Sequence, residues 1–184
     1  MNLDITLICH GNDDDHRDRQ TISLSITGKY LAFRCGLRLG YPKFDLAIHS
    51  STSATLETAE MVAYGTSEFA LIPELFYGSD DPRGVKIEYL QGILGYAPLG
   101  AYFRFGAEAA IMSLAQNAVG AVSRVINKSQ ARNILVVGHA ILLPAIGSIL
   151  ADGHSGFVES MVLGPCHGFI LQLIDKKAEN IIHI

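Results

Sequence analysis

The stretch Leu3-Asp4-Ile5-Thr6-Leu7-Ile8-Cys9-His10-Gly11 decides the fold of this chain. A short run of strand-forming residues stops abruptly on a thiol, an imidazole and a glycine. Three further segments behave alike: Phe44 to Ile48 closes on His49-Ser50-Ser51-Thr52, Phe69 to Ile72 on Pro73-Glu74, and Ile134 to Val137 on Gly138-His139. Short apolar runs bounded by turn residues are strands, and unbroken ones are strands buried on both faces of a sheet. Phe169 to Ile174 is a further strand, and Asn180 to Ile184 an edge strand.

Helical patterns lie between these runs. A helix from about Gly28 to Leu39 has Ser25 and Thr27 as candidate N-caps and takes Tyr30, Leu31, Phe33, Leu37 and Leu39 as its apolar positions. Gly40 and Pro42 end it. A second helix runs roughly from Ser53 to Tyr64, and the longest from Phe105 to Asn127, with Ile111, Leu114, Ala118, Val122 and Val125 at helical spacing. Pro144 falls early in the next helix, where its missing N–H is harmless. Leu75 to Leu99 is rich in Gly and Pro and is expected to be irregular, part of an insertion at about 75–102 with one short helix near Val85–Leu94. Alternating strands and helices predict a three-layer α/β/α sandwich with a mostly parallel central sheet, spanning residues 1–184 as one domain. In such sheets ligands bind beyond the carboxyl ends of the strands. Those ends carry His10, His49, Ser50, Glu74 and His139.

Composition narrows the function. Of 184 residues 49% are hydrophobic and only 17% charged, against about 25% charged in soluble proteins generally. The mean hydropathy of +0.27 therefore asks for a membrane span, an unusually buried sheet or a sticky surface. The longest uncharged stretch, Asn133 to Ala151, has Gly138, His139 and Pro144 near its middle and no Lys/Arg cluster on one flank, so a strand and a buried helix are expected there. The first residues lack the basic region of a signal peptide. Three cysteines, Cys9, Cys35 and Cys166, make no even framework, which fits a reducing cytoplasm. A net charge of −4 leaves no nucleic-acid footprint, and no membrane partner is expected.

In order along the chain, Ile8-Cys9-His10-Gly11, Leu24-Ser25-Ile26-Thr27-Gly28, His49-Ser50-Ser51-Thr52-Ser53-Ala54-Thr55-Leu56-Glu57-Thr58-Ala59, Glu74-Leu75-Phe76-Tyr77-Gly78 and Val137-Gly138-His139 resemble the motifs of the histidine phosphatase superfamily, with its phosphoglycerate mutase-like fold. The resemblance implies that His10 is the nucleophile and forms a phosphohistidine that water hydrolyses. It implies that His139 stabilises the equatorial oxygens and that Glu74 protonates the leaving oxygen. Gly11, Asn12, Ser50, Ala140 and the helix N-termini after His10, Ser51 and His139 would offer neutral donors to a phosphate. No metal or other cofactor is implied; His10, His49 and His139 lack local metal-ligand spacing.

Two arginines of the motifs are absent. Cys9 stands before the nucleophile and Ala54 stands four residues after Ser50. Neither replaces a forked, permanently charged donor, and each loss is worth about 3–4 kcal/mol of transition-state stabilisation. Arg17 and Arg19, with His16, are the candidates to compensate from the loop after His10; their alternative role is to offset Asp13, Asp14, Asp15 and Asp18. Two functions fit. One is an enzyme hydrolysing phosphomonoesters or phosphohistidine, with a phosphorylated small molecule or a phosphohistidine protein as partner. The other is a catalytically degenerate member that binds a ligand or a protein. An unrelated α/β binding module is the third alternative. His154, His167 and His183 are expected to be structural or surface residues, with the rim of the expected pocket as the alternative place for His167. Tyr96, Tyr102, Phe103 and Phe105 imply a homodimer or partner surface if exposed, and a substrate with an apolar portion if folded over the pocket.

Overall fold

In a computed structural model, residues 2–13, 23–40, 44–78, 80–151, 155–175 and 177–184 are described. Strand β1 (Asn2–Cys9) is followed by α1 (Ile26–Arg38), β2 (Leu46–His49), α2 (Ser53–Val62), β3 (Phe69–Leu71) and a 3₁₀ turn (Pro73–Leu75). Then come α3 (Pro82–Leu94), α4 (Leu99–Arg104), α5 (Glu108–Ser129), β4 (Asn133–Gly138), α6 (Leu142–Leu150), α7 (Ser155–Glu159), β5 (Gly168–Ile174) and β6 (Lys177–His183). The strands form one sheet in the order β3-β2-β4-β1-β5-β6. The pairs β3–β2, β2–β4 and β4–β1 are parallel; β1–β5 and β5–β6 are antiparallel. The sheet is thus mixed, with its parallel part carrying the strand ends singled out in the sequence.

Three layers follow from alternation. Ile5 and Leu7 of β1, Ile48 of β2 and Ile134 and Val136 of β4 pack into one core with Ile111 and Leu114 of α5 and Leu143 of α6. Their neighbours Ile8, Ala47, Leu135 and Val137 point the other way, into a second core with Ala32 and Cys35 of α1 and Ala59 and Val62 of α2. Each central strand is apolar throughout because both its faces are covered. By length and composition α5 is apolar enough to cross a membrane, but its stripe Ile111, Leu114, Ala115, Ala118 and Val122 is buried in the first core. The long uncharged stretch is β4 followed by α6, as expected.

Several expectations need correcting. The buried positions of α1 are Gly28, Ala32, Cys35 and Gly36, while Tyr30, Phe33 and Leu37 are about half exposed. The reason is close approach: a Cβ at Gly28 would lie 1.9 Å from the Asn12 carbonyl oxygen, so only small residues fit that face. Ser25 is the N-cap, its Oγ accepting from Gly28 N–H at 3.0 Å, and Thr27 lies inside the helix. Among the described residues none between His10 and α1 is helical: Asp13 bridges Leu24, and α1 begins at Ile26. The Leu75–Leu99 stretch is largely helical rather than irregular, and α4 was not expected. Arg17, Arg19, His16 and His154 lie outside the described residues.

Candidate functional site

Strand register builds the site. β1 pairs with β4 so that Cys9 lies opposite Gly138, and His10 N–H continues the ladder to Gly138 O at 3.1 Å. The next residues out of the sheet, His10 and His139, therefore emerge side by side, about one strand spacing apart. Their ring centroids are 5.0 Å apart at an interplanar angle of 70°. On the far side of β4, His49 pairs with Val137, which brings Ser50 to the same edge. Its Oγ lies 3.2 Å from His139 Nε2.

The protonation state of His10 follows from its contact with Gly11. His10 Nδ1 is 2.7 Å from the Gly11 carbonyl oxygen. A carbonyl only accepts, so Nδ1 carries the proton, and in the neutral ring the lone pair sits on Nε2. Gly11 is in turn held by α2: its N–H donates to Thr58 Oγ1 at 3.0 Å, and Thr58 passes its own proton to Ala54 O at 2.7 Å. The Gly11 donor expected to meet a phosphate is thus spent on Thr58. Asn12 is fixed through its carbonyl, which accepts from Ser25 N–H and Ser25 Oγ–H, both at 3.0 Å.

Ser50 is fully buried and belongs to a hydroxyl cluster at the start of α2. Thr55 Oγ1 directs its one proton at the carbonyls of Thr52 and Ser50, at 2.8 and 3.1 Å. Toward Ser50 Oγ, 3.0 Å away, it is then the acceptor. With Ser50 donating to Thr55, the Ser50 oxygen is left to accept from His139 Nε2–H. The cluster thus orients the second imidazole as a donor on Nε2. Ala140 is half-buried, and His139 O accepts from Leu142 and Leu143 N–H, both at 3.1 Å, at the start of α6. His49 is buried, with Nδ1 donating to Ser50 O at 2.8 Å.

Glu74 sits on the 3₁₀ turn, half exposed, with Arg124 of α5 at 3.9 Å from its carboxylate. The same segment supplies two residues whose part in the site was not foreseen. The Phe76 and Tyr77 rings stand 5.3 and 5.8 Å from the His139 ring. Their occurrence in the Glu74–Gly78 motif was the only signal in the sequence. Together they make an aromatic wall beside the imidazole pair.

The two positions where arginines are missing are uncharged in every sense. Ala54 is 2% exposed in the second core. Burial, then the neighbouring Cys166, pushes the Cys9 thiol far above its ordinary range, which favours the uncharged thiol at that position. Burial raises the Tyr96 phenol above its ordinary value. His167 O accepts from Cys9 N–H at 2.9 Å. Among the described residues no group of three or more His, Cys, Asp or Glu is placed to hold a metal ion.

No protein-family model matches the chain, and no curated protein matches it in sequence. Solved structures match it over nearly its full length. The alpha-ribazole phosphatase of Shigella flexneri superposes with a TM-score of 0.70 at 17% identity, covering 99% of this chain and 96% of the other. Phosphoserine phosphatase of Entamoeba histolytica gives 0.67 at 17% identity, over 98% and 96%. Phosphoglycerate mutase of Bacillus anthracis gives 0.67 at 15% identity, over 100% and 92%. Likeness at this level of identity establishes the fold alone, a phosphoglycerate mutase-like fold.

Proposed function

We propose that the chain is a phosphatase working through a phosphohistidine on His10. The observation that carries this is the 2.7 Å bond from His10 Nδ1–H to Gly11 O, which puts the lone pair on Nε2 beside His139. In the first half-reaction Nε2 attacks phosphorus as the P–O bond to the leaving group breaks, and Glu74 gives that oxygen a proton. In the second, water attacks phosphorus, its proton goes to the Glu74 carboxylate, and the P–N electron pair returns to Nε2. His139, whose Nε2–H rests on Ser50, turns that proton to the equatorial oxygens when a phosphate enters. Backbone groups of Asn12 and Ala140, with Arg17 and Arg19, complete the phosphate site. The substrate is a phosphorylated small molecule or a phosphohistidine protein of the cytoplasm. The Phe76 and Tyr77 rings favour a leaving group with an apolar face.

A second reading has an observation of its own. A buried Ala54 and a neutral Cys9 supply no charge for a phosphate, which favours a member that binds a ligand without turnover. One experiment separates the two. Purified protein is assayed with p-nitrophenyl phosphate and quenched to trap acid-labile, alkali-stable phosphoprotein. Turnover and trapped phosphate, both lost in His10→Ala, are expected. Inactivity across a broad panel of phosphate esters and phosphohistidine peptides would leave the binding role.

A further inference from the structure

A cavity of about 560 Å³ lies between the outer face of α1 and the turn before β5, within the usual range for small-molecule sites. Its walls include neither His10 nor His139. Tyr30, Arg34 and Arg38 line one side; recurring every four residues, they form a single stripe along the helix. Pro165, Cys166 and His167 line the other side.

The charged residues in the described lining of this cavity are of one sign. Arg34 Nη1 donates to Tyr30 Oη at 2.9 Å, with its guanidinium carbon 5.8 Å from the Tyr30 ring centroid. Arg38 Nη2 donates to Cys166 O at 3.1 Å. Each guanidinium has five N–H donors, so most of each fork is left for a ligand. Among the described residues neither arginine has a carboxylate partner, and no acidic residue lines the cavity. Like charges four residues apart on a helix repel. In a chain of net charge −4, two such arginines on a cavity whose described lining holds no acid point to a counter-charge that comes from outside. Leu31 and Leu37 on the same wall give that ligand apolar surface.

We propose that this cavity is a second binding site, for a small organic anion whose carboxylate, sulfonate or phosphate head is held by Arg34 and Arg38 and whose apolar body lies on Leu31, Leu37 and Pro165. His167 is exposed at the cavity wall and adds a donor to the same head group. The site is separate from the imidazole pair and does not depend on phosphatase activity.

Isothermal titration calorimetry with naphthalenesulfonate, and with the neutral naphthalenesulfonamide of the same shape, tests it. The sulfonate is expected to bind the wild type and His10→Ala equally, and the sulfonamide at least about tenfold more weakly. Arg34→Gln and Arg38→Gln are each expected to weaken the sulfonate by about tenfold. Arg38→Gln also loses the Cys166 bond, whereas Arg34→Gln alters an exposed side chain and keeps the test valid if the former folds poorly. Absence of sulfonate binding to the wild type would overturn the proposal. So would equal affinity for the two probes, or binding abolished by His10→Ala but untouched by Arg34→Gln.

Discussion

Thr58→Val is the sharpest probe of how the loop after β1 is held. Thr58 is fully buried on α2 and its Oγ1 accepts the Gly11 N–H at 3.0 Å, across 47 positions of sequence. Valine keeps the branched shape but offers no acceptor. The Ala54 carbonyl that took the hydroxyl proton loses little, because it lies in a helix and keeps its backbone partner. Gly11 N–H, however, is buried and becomes an orphan. Leaving a buried donor unsatisfied costs about 1–3 kcal/mol, and for a chain of this size each kcal/mol lowers Tm by about 2–4 °C. Urea and thermal unfolding followed by circular dichroism measure this directly, with Thr58→Ser, which keeps the oxygen, as the control. Gly11 also carries the carbonyl that fixes the His10 tautomer, so the proposed phosphatase rate is expected to fall by about ten- to a hundredfold through misplacement of the ring. A Thr58→Val protein as stable as the Thr58→Ser control would refute the pinning of the loop by α2.

Two glycines make opposite predictions for the same substitution. At Gly28 a Cβ meets the Asn12 carbonyl at 1.9 Å, so Gly28→Ala is expected to destabilise by about 1–3 kcal/mol, outweighing any gain in helix propensity. At Gly92, inside α3 with nothing within 4 Å, Gly92→Ala is expected to stabilise by about 0.5–1 kcal/mol; chemical denaturation of both decides it. Stability should also fall in alkali, because burial raises the Cys9 thiol and pushes Cys166 up to about 12. Above the ordinary thiol value of 9.0, the unfolded chain loses protons that the folded chain keeps. Stability present below that pH is therefore lost as pH rises toward 12, by about 1.4 kcal/mol per pH unit for each thiol. Cys9→Ala should flatten the alkaline slope measured by urea titration; parallel slopes for variant and wild type would contradict it.

What could be read from the residues was what backbone and burial impose locally. The unbroken apolar runs at β1 and β4 announced strands covered on both sides, and the histidines that end them marked one edge of a sheet. The identity of α1's inner face was not legible in that way. Hydrophobicity pointed to Tyr30, Phe33 and Leu37, but a backbone contact between Gly28 and Asn12 decided for Gly28, Ala32 and Cys35. Thr58 and Thr55 looked like ordinary helix residues, since nothing local says that a hydroxyl will meet a loop 47 positions away. Phe76 and Tyr77 face His139 for the same reason: the direction of a side chain on a short turn is set by tertiary packing.

The opposition of Cys9 to Gly138 has a consequence for which mutations the chain can tolerate. Main-chain hydrogen bonds hold that pairing, and they are indifferent to which side chains the strands carry. Most side chains along these strands can therefore be exchanged while two imidazoles stay at the same edge. Loss of a single residue from β1 is different, because it sends every following side chain to the opposite face. That the chain overlays a structure of only 17% identity with a TM-score of 0.70 accords with this: the fold tolerates exchange of side chains along the central strands far better than a change in their length.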